Sequence, residues 1–450
     1  VGQVLSPWQP LRGPLRRPRP AAGAAAKAAA APADAGPPPA ALEPGSLQLL
    51  VLQPSPFCNL DCDYCYLPDR GDTRRMALPL LDRVLAEVAA SGLAGAELSI
   101  VWHAGEPTAV PRDWYEAAFA LVARHAGGRR VQHHFQTNAV RVDAAWCAFF
   151  RRHGVRVGVS LDGPAALHDA HRRHRDGRGS HAAAMRGVAA LRAAGLDFHA
   201  IAVLTRDALD QADAVYDFFA DLGAVQVGFN VEEAEAAHPR SSLDAAGTEA
   251  ALRRFWQRLL QRLGAEPGPT GPRLRVREVE AVLAALRDPR FGQGGGNTQN
   301  LPGRILNVAH DGRWCFWSPE LLGDRHPQRG AVVLGRLDTG QLPRVAAAAG
   351  TTEAAEQAWQ AWPPWQQEID AGVRRCRADC AYWAFCLGGA PSNKLTEHGR
   401  LDAAATRACR LGQQVVVDAV LQALDGQLPP AGAPGADAPA QAGAAAAPAP

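Results

Sequence analysis

Six short apolar runs, each separated from the next by an amphipathic stretch, constrain this chain more than any other feature. LQLLVLQ (47–53), ELSIVWH (97–103), VQHHFQT (131–137), VRVGVSL (155–161), DFHAIAVL (197–204) and VQVGFNV (225–231) have the length and composition of buried strands. Between them LLDRVLAEVAAS, DWYEAAFALVARH, DAAWCAFFRRH, HAAAMRGVAALRAAG and ALDQADAVYDFFADLG repeat apolar residues at helical spacing. Parallel strands need crossover connections, and helices of this length supply them. The expected fold class is therefore α/β. Right-handed crossovers curl such strands into a partial (β/α)6, TIM-like barrel or leave an open doubly wound sheet. Either way, active residues belong at the C-terminal ends of the strands.

The flanks read differently. Residues 1–45 and 426–450 are rich in Ala, Pro and Gly, cannot build a core, and are predicted to be disordered tails. The barrel core is expected over 46–240 and a helical bridge over 241–302, with GTEAALRRFWQRLLQRL and RVREVEAVLAALRD as its helices. A Gly- and Trp-rich, weakly periodic region follows over 303–425 and is expected to fold around a metal. A formal net charge of +2 gives no reason to expect nucleic acid or an anionic membrane as partner. No apolar run reaches the ~18–20 residues needed to cross a bilayer. The arginines near the N-terminus lead into a tract too weakly apolar for a signal peptide, so a cytoplasmic location is expected.

The chain has nine cysteines, and they are clustered. Cys58, Cys62 and Cys65 form C-x3-C-x2-C directly after the first strand, on a loop at its C-terminal end. Cys376, Cys380, Cys386 and Cys409 gather near the C-terminus, Cys315 lies upstream of them, and Cys147 stands alone in a helical run. Such grouping in a large chain favours metal or cluster binding over disulfides. Three thiolates can hold three irons of a cubane and leave the fourth open to a small molecule. A zinc knuckle completed by a distant His or Cys is the alternative, but zinc pairs usually come as two C-x2–4-C halves.

CNLDCDYCY (58–66) after the first strand of a six-fold βα repeat resembles the signature of the radical S-adenosylmethionine (SAM) superfamily. AGEP (104–107) after the second strand resembles that family's G-G-E-P motif, with Ala104 in place of its first glycine. The resemblance implies a [4Fe-4S] cluster on Cys58, Cys62 and Cys65, with SAM at the open iron. It further implies that the backbone of Ala104, Gly105, Glu106 and Pro107 receives the methionyl amino group. Ser160 in SLDGP and Arg172 in HDAHR would contact the ribose or carboxylate of SAM, and Tyr64 would sit against the adenine. QTN (136–138) ends the third strand at the same mouth. In this family one-electron cleavage of SAM produces a 5′-deoxyadenosyl radical, which abstracts a hydrogen atom.

The C-terminal cysteines resemble a SPASM domain, whose usual core is C-x2-C-x5-C-x3-C. Here the first spacing is three, and Ala390 occupies the position of the fourth core cysteine. The set retained (Cys376, Cys380, Cys386 and Cys409) matches one auxiliary [4Fe-4S] cluster without an open position. Cys315 in DGRWCFWSPE resembles the first ligand of a second one, for which no partner follows Gly335 at the family's spacing. A closed zinc site is the alternative for these four thiols.

LQPSPFCNLDCDYCYLPDR, IVWHAGEP, SLDGPAALHDAHR, GFNVEE and GGAPSNKLTEHG are together similar to the GrrM/OscB-type cyclophane-forming peptide maturases. That resemblance covers about residues 47–410. It implies a ribosomal precursor peptide as substrate, a C–C crosslink between an aromatic ring and a nearby β-carbon, and a flavodoxin- or ferredoxin-type electron donor. Glu232, Glu233, Asp311 and Glu320 are candidate bases at the mouth, and His103 a candidate proton carrier; solvated or capping roles are the commoner fate of such groups. DGRWCFWSPE and QAWQAWPPWQQ are aromatic-rich enough to hold peptide rings or to pack a small metal-stapled domain. The rival readings are an anaerobic sulfatase-maturase-like oxidation of Cys or Ser to formylglycine, and a non-catalytic peptide-binding protein stapled by metal.

Overall fold

A computed structural model describes residues 42–265, 267–268, 271–294, 296–345 and 362–426. Of the expected tails, residues 1–41 and 427–450 lie outside the described residues, as does the first part of QAWQAWPPWQQ; Leu42, at the inner end of the first, is buried. Six strands follow one another through the first half of the chain: β1 (Leu47–Leu52), β2 (Ala94–Trp102), β3 (Arg130–Thr137), β4 (Arg156–Ser160), β5 (Phe198–Leu204) and β6 (Val227–Val231). All five successive pairings are parallel. The crossovers carry α1 (Leu78–Ser91), α2 (Arg112–His125), α3 (Ala144–Arg152), α4 (Ala165–His171), α5 (His181–Ala193) and α6 (Ala212–Leu222). This is the partial TIM-like α/β barrel that the apolar periodicity predicts.

The reason these runs become strands is burial on both faces. β1 ends in three consecutive buried residues, and β5 alternates buried with half-buried ones. Helices pack over one side, as parallel sheets require. Trp102 at the end of β2 packs edge-on to Tyr115 of α2 and stacks on Phe119. Phe135 of β3 lies 4.8 Å, centroid to centroid, from Tyr115 and joins Trp146, Phe149 and Phe150 of α3.

The sheet does not stop at β1. Strand β7 (Ile305–Val308) pairs parallel with it, Leu49 opposite Ile305 and Leu52 opposite Val308. Strand β8 (Arg313–Phe316) returns antiparallel to β7, and the short β9 (Gly335–Arg336) pairs with β8. The nine-stranded order is thus β9-β8-β7-β1-β2-β3-β4-β5-β6. The cysteine-rich region therefore begins as an extension of the barrel sheet. Between the two lie α7 (Thr248–Ala265) and α8 (Arg277–Arg287). Beyond β9 come α9 (Pro363–Asp379), α10 (Pro391–His398) and α11 (Val415–Leu424), and Arg253 of α7 pairs with Asp418 of α11 at 3.0 Å. Among the described residues no helix is long and apolar enough to cross a membrane.

Phe135→Ala empties the centre of the aromatic cluster, where Phe135 is 1% exposed. It is expected to cost about 3–5 kcal/mol, read as a lowered denaturation midpoint with an unchanged denaturant slope.

Candidate active site

The thirteen residues after β1, Gln53 to Cys65, form no regular strand or helix; backbone bonds to other segments (Cys58 N–H to Arg70 at 3.0 Å, Asp61 N–H to Arg173 at 2.8 Å) and side-chain anchors hold them. This loop carries Cys58, Cys62 and Cys65 to the C-terminal end of the barrel. The Cys58 thiol accepts from the backbone N–H of Leu60 at 3.4 Å, and the Asn138 amide lies 3.9 Å from it. Asn138 also donates to the Asn59 side chain at 2.9 Å. Arg70 donates to the Cys62 carbonyl at 2.8 Å. Burial pushes the Cys58 thiol well up and that of Cys62 up to about 12, the nearby Arg172 guanidinium pulling Cys62 the other way. Thiols so placed ionise readily only when a cation takes the proton's place, as iron does. The donor set fits the three-cysteine ligation of a [4Fe-4S] cluster.

Two buried carboxylates brace this loop from opposite sides. Glu106, 2% exposed, accepts from Thr108 N (2.8 Å), Thr108 Oγ1 (2.5 Å), Thr137 Oγ1 (2.6 Å) and Asn138 N (2.8 Å). It ties the end of β2 to the end of β3, while its own backbone N–H donates to Phe57 of the loop. Burial raises its pKa against the pull of those four donors. Asp162 accepts from Tyr64 Oη, from Arg172 Nε at 2.9 Å and from the backbone of Val203 at 3.0 Å. The Arg172 guanidinium lies 5.4 Å from the centre of the Tyr64 ring. Asp162 was not singled out from the sequence; its place in SLDGP, beside Ser160, was the available signal.

The AGEP turn has a steric reason for its composition. Gly105 has φ +67°, and a Cβ there would meet the Ser55 and Phe57 carbonyls at 2.5 Å, so only glycine lets the turn touch the cysteine loop. Ala104 has φ +68°, a left-handed conformation that costs a side-chain-bearing residue energy. Pro107 starts a short 3-10 turn, and its carbonyl accepts from Tyr115 at 3.0 Å. Ser160 Oγ accepts from Gln136 at 2.9 Å, which joins the ends of β3 and β4. The Glu106 side chain is thus a brace, while Tyr64, Ser160 and Arg172 stand with AGEP around one strand-end mouth.

The base candidates separate. Glu232 is saturated: it accepts from Ser242 N at 2.9 Å and from Ser242 Oγ, and its other oxygen meets His238 at 2.9 Å. Asp311 is bound to Arg313 at 2.8 Å, and those bonds outweigh burial and hold its carboxyl low. Glu233 accepts from Asn393 of α10 at 2.8 Å. Glu235, which sequence reasoning missed, is buried, and burial together with Glu233 and Glu320 drives its pKa well up. Glu320 is 4% exposed, its Oε1 has no well-formed hydrogen bond among the described residues, and burial raises its pKa against the pull of Ser318. The electrostatics of Tyr66 register Glu320, Cys65 and Glu235, which puts these carboxylates beside the cysteine loop. His103 meets Tyr66 Oη at 3.4 Å, and burial lowers its pKa to about 4, so it is neutral near pH 7.

The four C-terminal cysteines line one cavity of about 260 Å³. Burial pushes the Cys386 and Cys380 thiols up, against the pull of the backbone N–H groups of Gly388 and Gly389 on the one and of Tyr382 and Trp383 on the other, and Thr406 N donates to Cys409 at 3.4 Å. Cys409 opens into a turn of π-helix, Arg410–Gln414, that runs on into α11. Among the described residues no three His, Cys, Asp or Glu side chains converge on a point that would suit one metal ion. The void with four thiols around it has the donors for either an iron–sulfur cluster or a closed zinc site. Cys315 lies buried in β8 with the Asn307 amide 3.7 Å away, and does not line this cavity. Ala390 is the N-cap of α10.

Comparison with known proteins agrees with this geometry. Residues 52–219 match the family model of the radical SAM superfamily. An uncharacterized protein of Synechocystis sp. is 37% identical over 390 residues, covering 85% of this chain and 94% of that protein. The serine-type anaerobic sulfatase-maturating enzyme of Klebsiella aerogenes is 37% identical over 205 residues, 44% of this chain and 51% of the enzyme. The match therefore spans about half of that enzyme. Among solved structures, anSMEcpe with bound AdoMet superimposes with a TM-score of 0.65 at 18% identity, over 84% of this chain and 98% of the other. SuiB of Streptococcus suis bound to S-adenosylmethionine gives 0.54 at 15% identity, over 81% and 78%. These two likenesses concern the fold.

Ala104→Gly relieves the left-handed alanine in the AGEP turn and is expected to stabilise the protein by up to about 1 kcal/mol, measured by chemical denaturation; a loss of about 0.4–1 kcal/mol, the cost of glycine in the unfolded chain, would show that the turn bears no strain.

Proposed function

Since the chain belongs to the radical SAM superfamily and is an enzyme of radical modification, we propose that it matures a ribosomally made peptide by joining an aromatic ring to a nearby side-chain β-carbon. The observation that carries this reading is a second thiol site, the four-cysteine cavity, in the same chain as the three-cysteine loop. Forming such a crosslink removes two hydrogens. One leaves as an atom, the other as a proton and an electron, so the chemistry needs a base and an electron acceptor as well as a hydrogen abstractor. When bound, SAM and the cluster held by Cys58, Cys62 and Cys65 supply the hydrogen-atom abstraction. Cys376, Cys380, Cys386 and Cys409 would hold a centre able to take the electron.

This chain's own side chains do the rest. The Asp162–Arg172 pair and Gln136–Ser160 fix the strand-end mouth against which SAM is oriented. Glu320, buried beside Glu235, is the proposed acceptor of the ring proton. Glu235, kept neutral by burial and by its acidic neighbours, prevents three adjacent negative charges. A peptide substrate is supported by analogy: SuiB has been crystallised bound to its precursor peptide SuiA, and anSMEcpe with AdoMet and the Kp18Cys peptide. A flavodoxin- or ferredoxin-type protein is the proposed electron donor.

Anaerobic reconstitution with dithionite, SAM and peptides encoded beside the gene tests the reading. Wild type should yield 5′-deoxyadenosine and a peptide lighter by two hydrogens that does not react with a hydrazide probe; a Cys58→Ala/Cys62→Ala/Cys65→Ala variant should yield neither. A hydrazide-reactive aldehyde would replace the crosslink with formylglycine formation, and a zinc-loaded protein without 5′-deoxyadenosine would replace enzyme with binding protein. Glu320→Gln is expected to lower crosslinked product at least ~100-fold while 5′-deoxyadenosine still forms. Equal loss of both would exclude Glu320 as the base.

A further inference from the structure

Lys394 is the one lysine among the buried charged residues of the described chain, at 1% exposure. It projects from α10, and the α9 chain makes room for it: a Cβ on Gly372 would come within 2.9 Å of the Lys394 Nζ. Its ammonium makes no well-formed hydrogen bond within the described residues. Among the described residues no carboxylate pairs with it. What it faces is the Cys376 thiol, with Cys386 and Cys409 behind, and it lines the same cavity of about 260 Å³ as the four cysteines. A buried lysine without an anion is costly, several kcal/mol by the usual reckoning. A chain that keeps one pointed into a ring of thiols has built a place for negative charge.

We propose that Lys394 is the fixed counter-charge of the iron–sulfur centre held by Cys376, Cys380, Cys386 and Cys409, and raises its reduction potential so that it can accept an electron. Four thiolates around a cubane leave net negative charge, which grows by one on reduction. A cation buried beside it favours the reduced form more than the oxidised one, because the same distance acts on a larger charge in a medium of low dielectric. Lys394 is a positioning and tuning residue, since it lines the cavity with the ligand sulfurs and meets no substrate. A hydrogen bond from the neighbouring Asn393 to Glu233, 2.8 Å, fastens the same helix to the mouth of the barrel. The inference rests on the four-cysteine centre of the proposed function but not on the crosslinking reaction.

The test uses the full chain carrying Cys58→Ala/Cys62→Ala/Cys65→Ala, so that any iron–sulfur signal comes from the second site. Iron content and an electron paramagnetic resonance redox titration are measured with Lys394 intact, as Lys394→Met and as Lys394→Arg. Lys394→Met is expected to lower the midpoint by about 59 mV or more, a tenfold change in the reduced-to-oxidised ratio of a one-electron couple. Lys394→Arg should keep it near the parent value. Equal midpoints in all three at equal iron content would overturn the role of Lys394 and leave the centre standing. Zinc or no metal in the Lys394-intact protein would overturn the centre itself. If Lys394→Met alone fails to load, a midpoint in Lys394→Gln matching the parent overturns the role, and a lowered one supports it.

Discussion

The geometry of the cysteine loop depends on one buried acceptor, the carboxylate of Asp162. It gathers the Tyr64 hydroxyl, the Arg172 guanidinium and the backbone of Val203 from the loop, the end of α4 and strand β5. A buried ion pair is not in itself a large source of stability, because desolvation offsets most of the attraction. Its value here is directional: removing either partner leaves a charge with nowhere to go, so the three elements can meet in only one way. Glu106 does the same on the opposite side of the mouth with four neutral donors. Between the two, a segment with only a short backbone bridge, Leu60 to His174, becomes rigid enough to present three thiols.

Much of this was legible in the sequence. The run 131–137 became β3 over 130–137, and 197–204 became β5 over 198–204. Runs of this kind are bounded by turn residues and buried on both faces, so local composition is enough to find them. The three-cysteine loop followed from its spacing, and AGEP from its resemblance to the family's motif. What spacing could not supply was partnership. Glu232 and Glu233 are adjacent in the chain, yet one is consumed by Ser242 and His238 and the other meets Asn393 across the fold. Glu235 acquires its character from Glu233 and Glu320, the latter from a turn 85 residues away (320 minus 235). Such relations are tertiary, and no window of sequence contains them.

Lys394 makes the same point from another direction. In the sequence, GGAPSNKLTEHG reads as a polar stretch in which a lysine should face solvent. Its burial follows from Gly372, whose missing side chain opens the space, and from four thiols that are scattered over 34 residues (409 minus 376, counted inclusively) and converge only in the fold.

The pairing of β7 with β1 bears on how the molecule is made. Leu49 and Ile305 are bonded neighbours separated by 256 residues (305 minus 49), so one edge of the first strand has no partner until more than half of the chain has been synthesised. At roughly 5–20 residues per second that interval is on the order of ten to fifty seconds. During it, an apolar strand with a bare edge sits directly before the cysteine loop, open to solvent and to other chains. The long-range closure is slow to reward its entropy cost. Translation therefore leaves the first strand, and the cysteine loop directly after it, on a half-finished sheet until β7 arrives to close that edge.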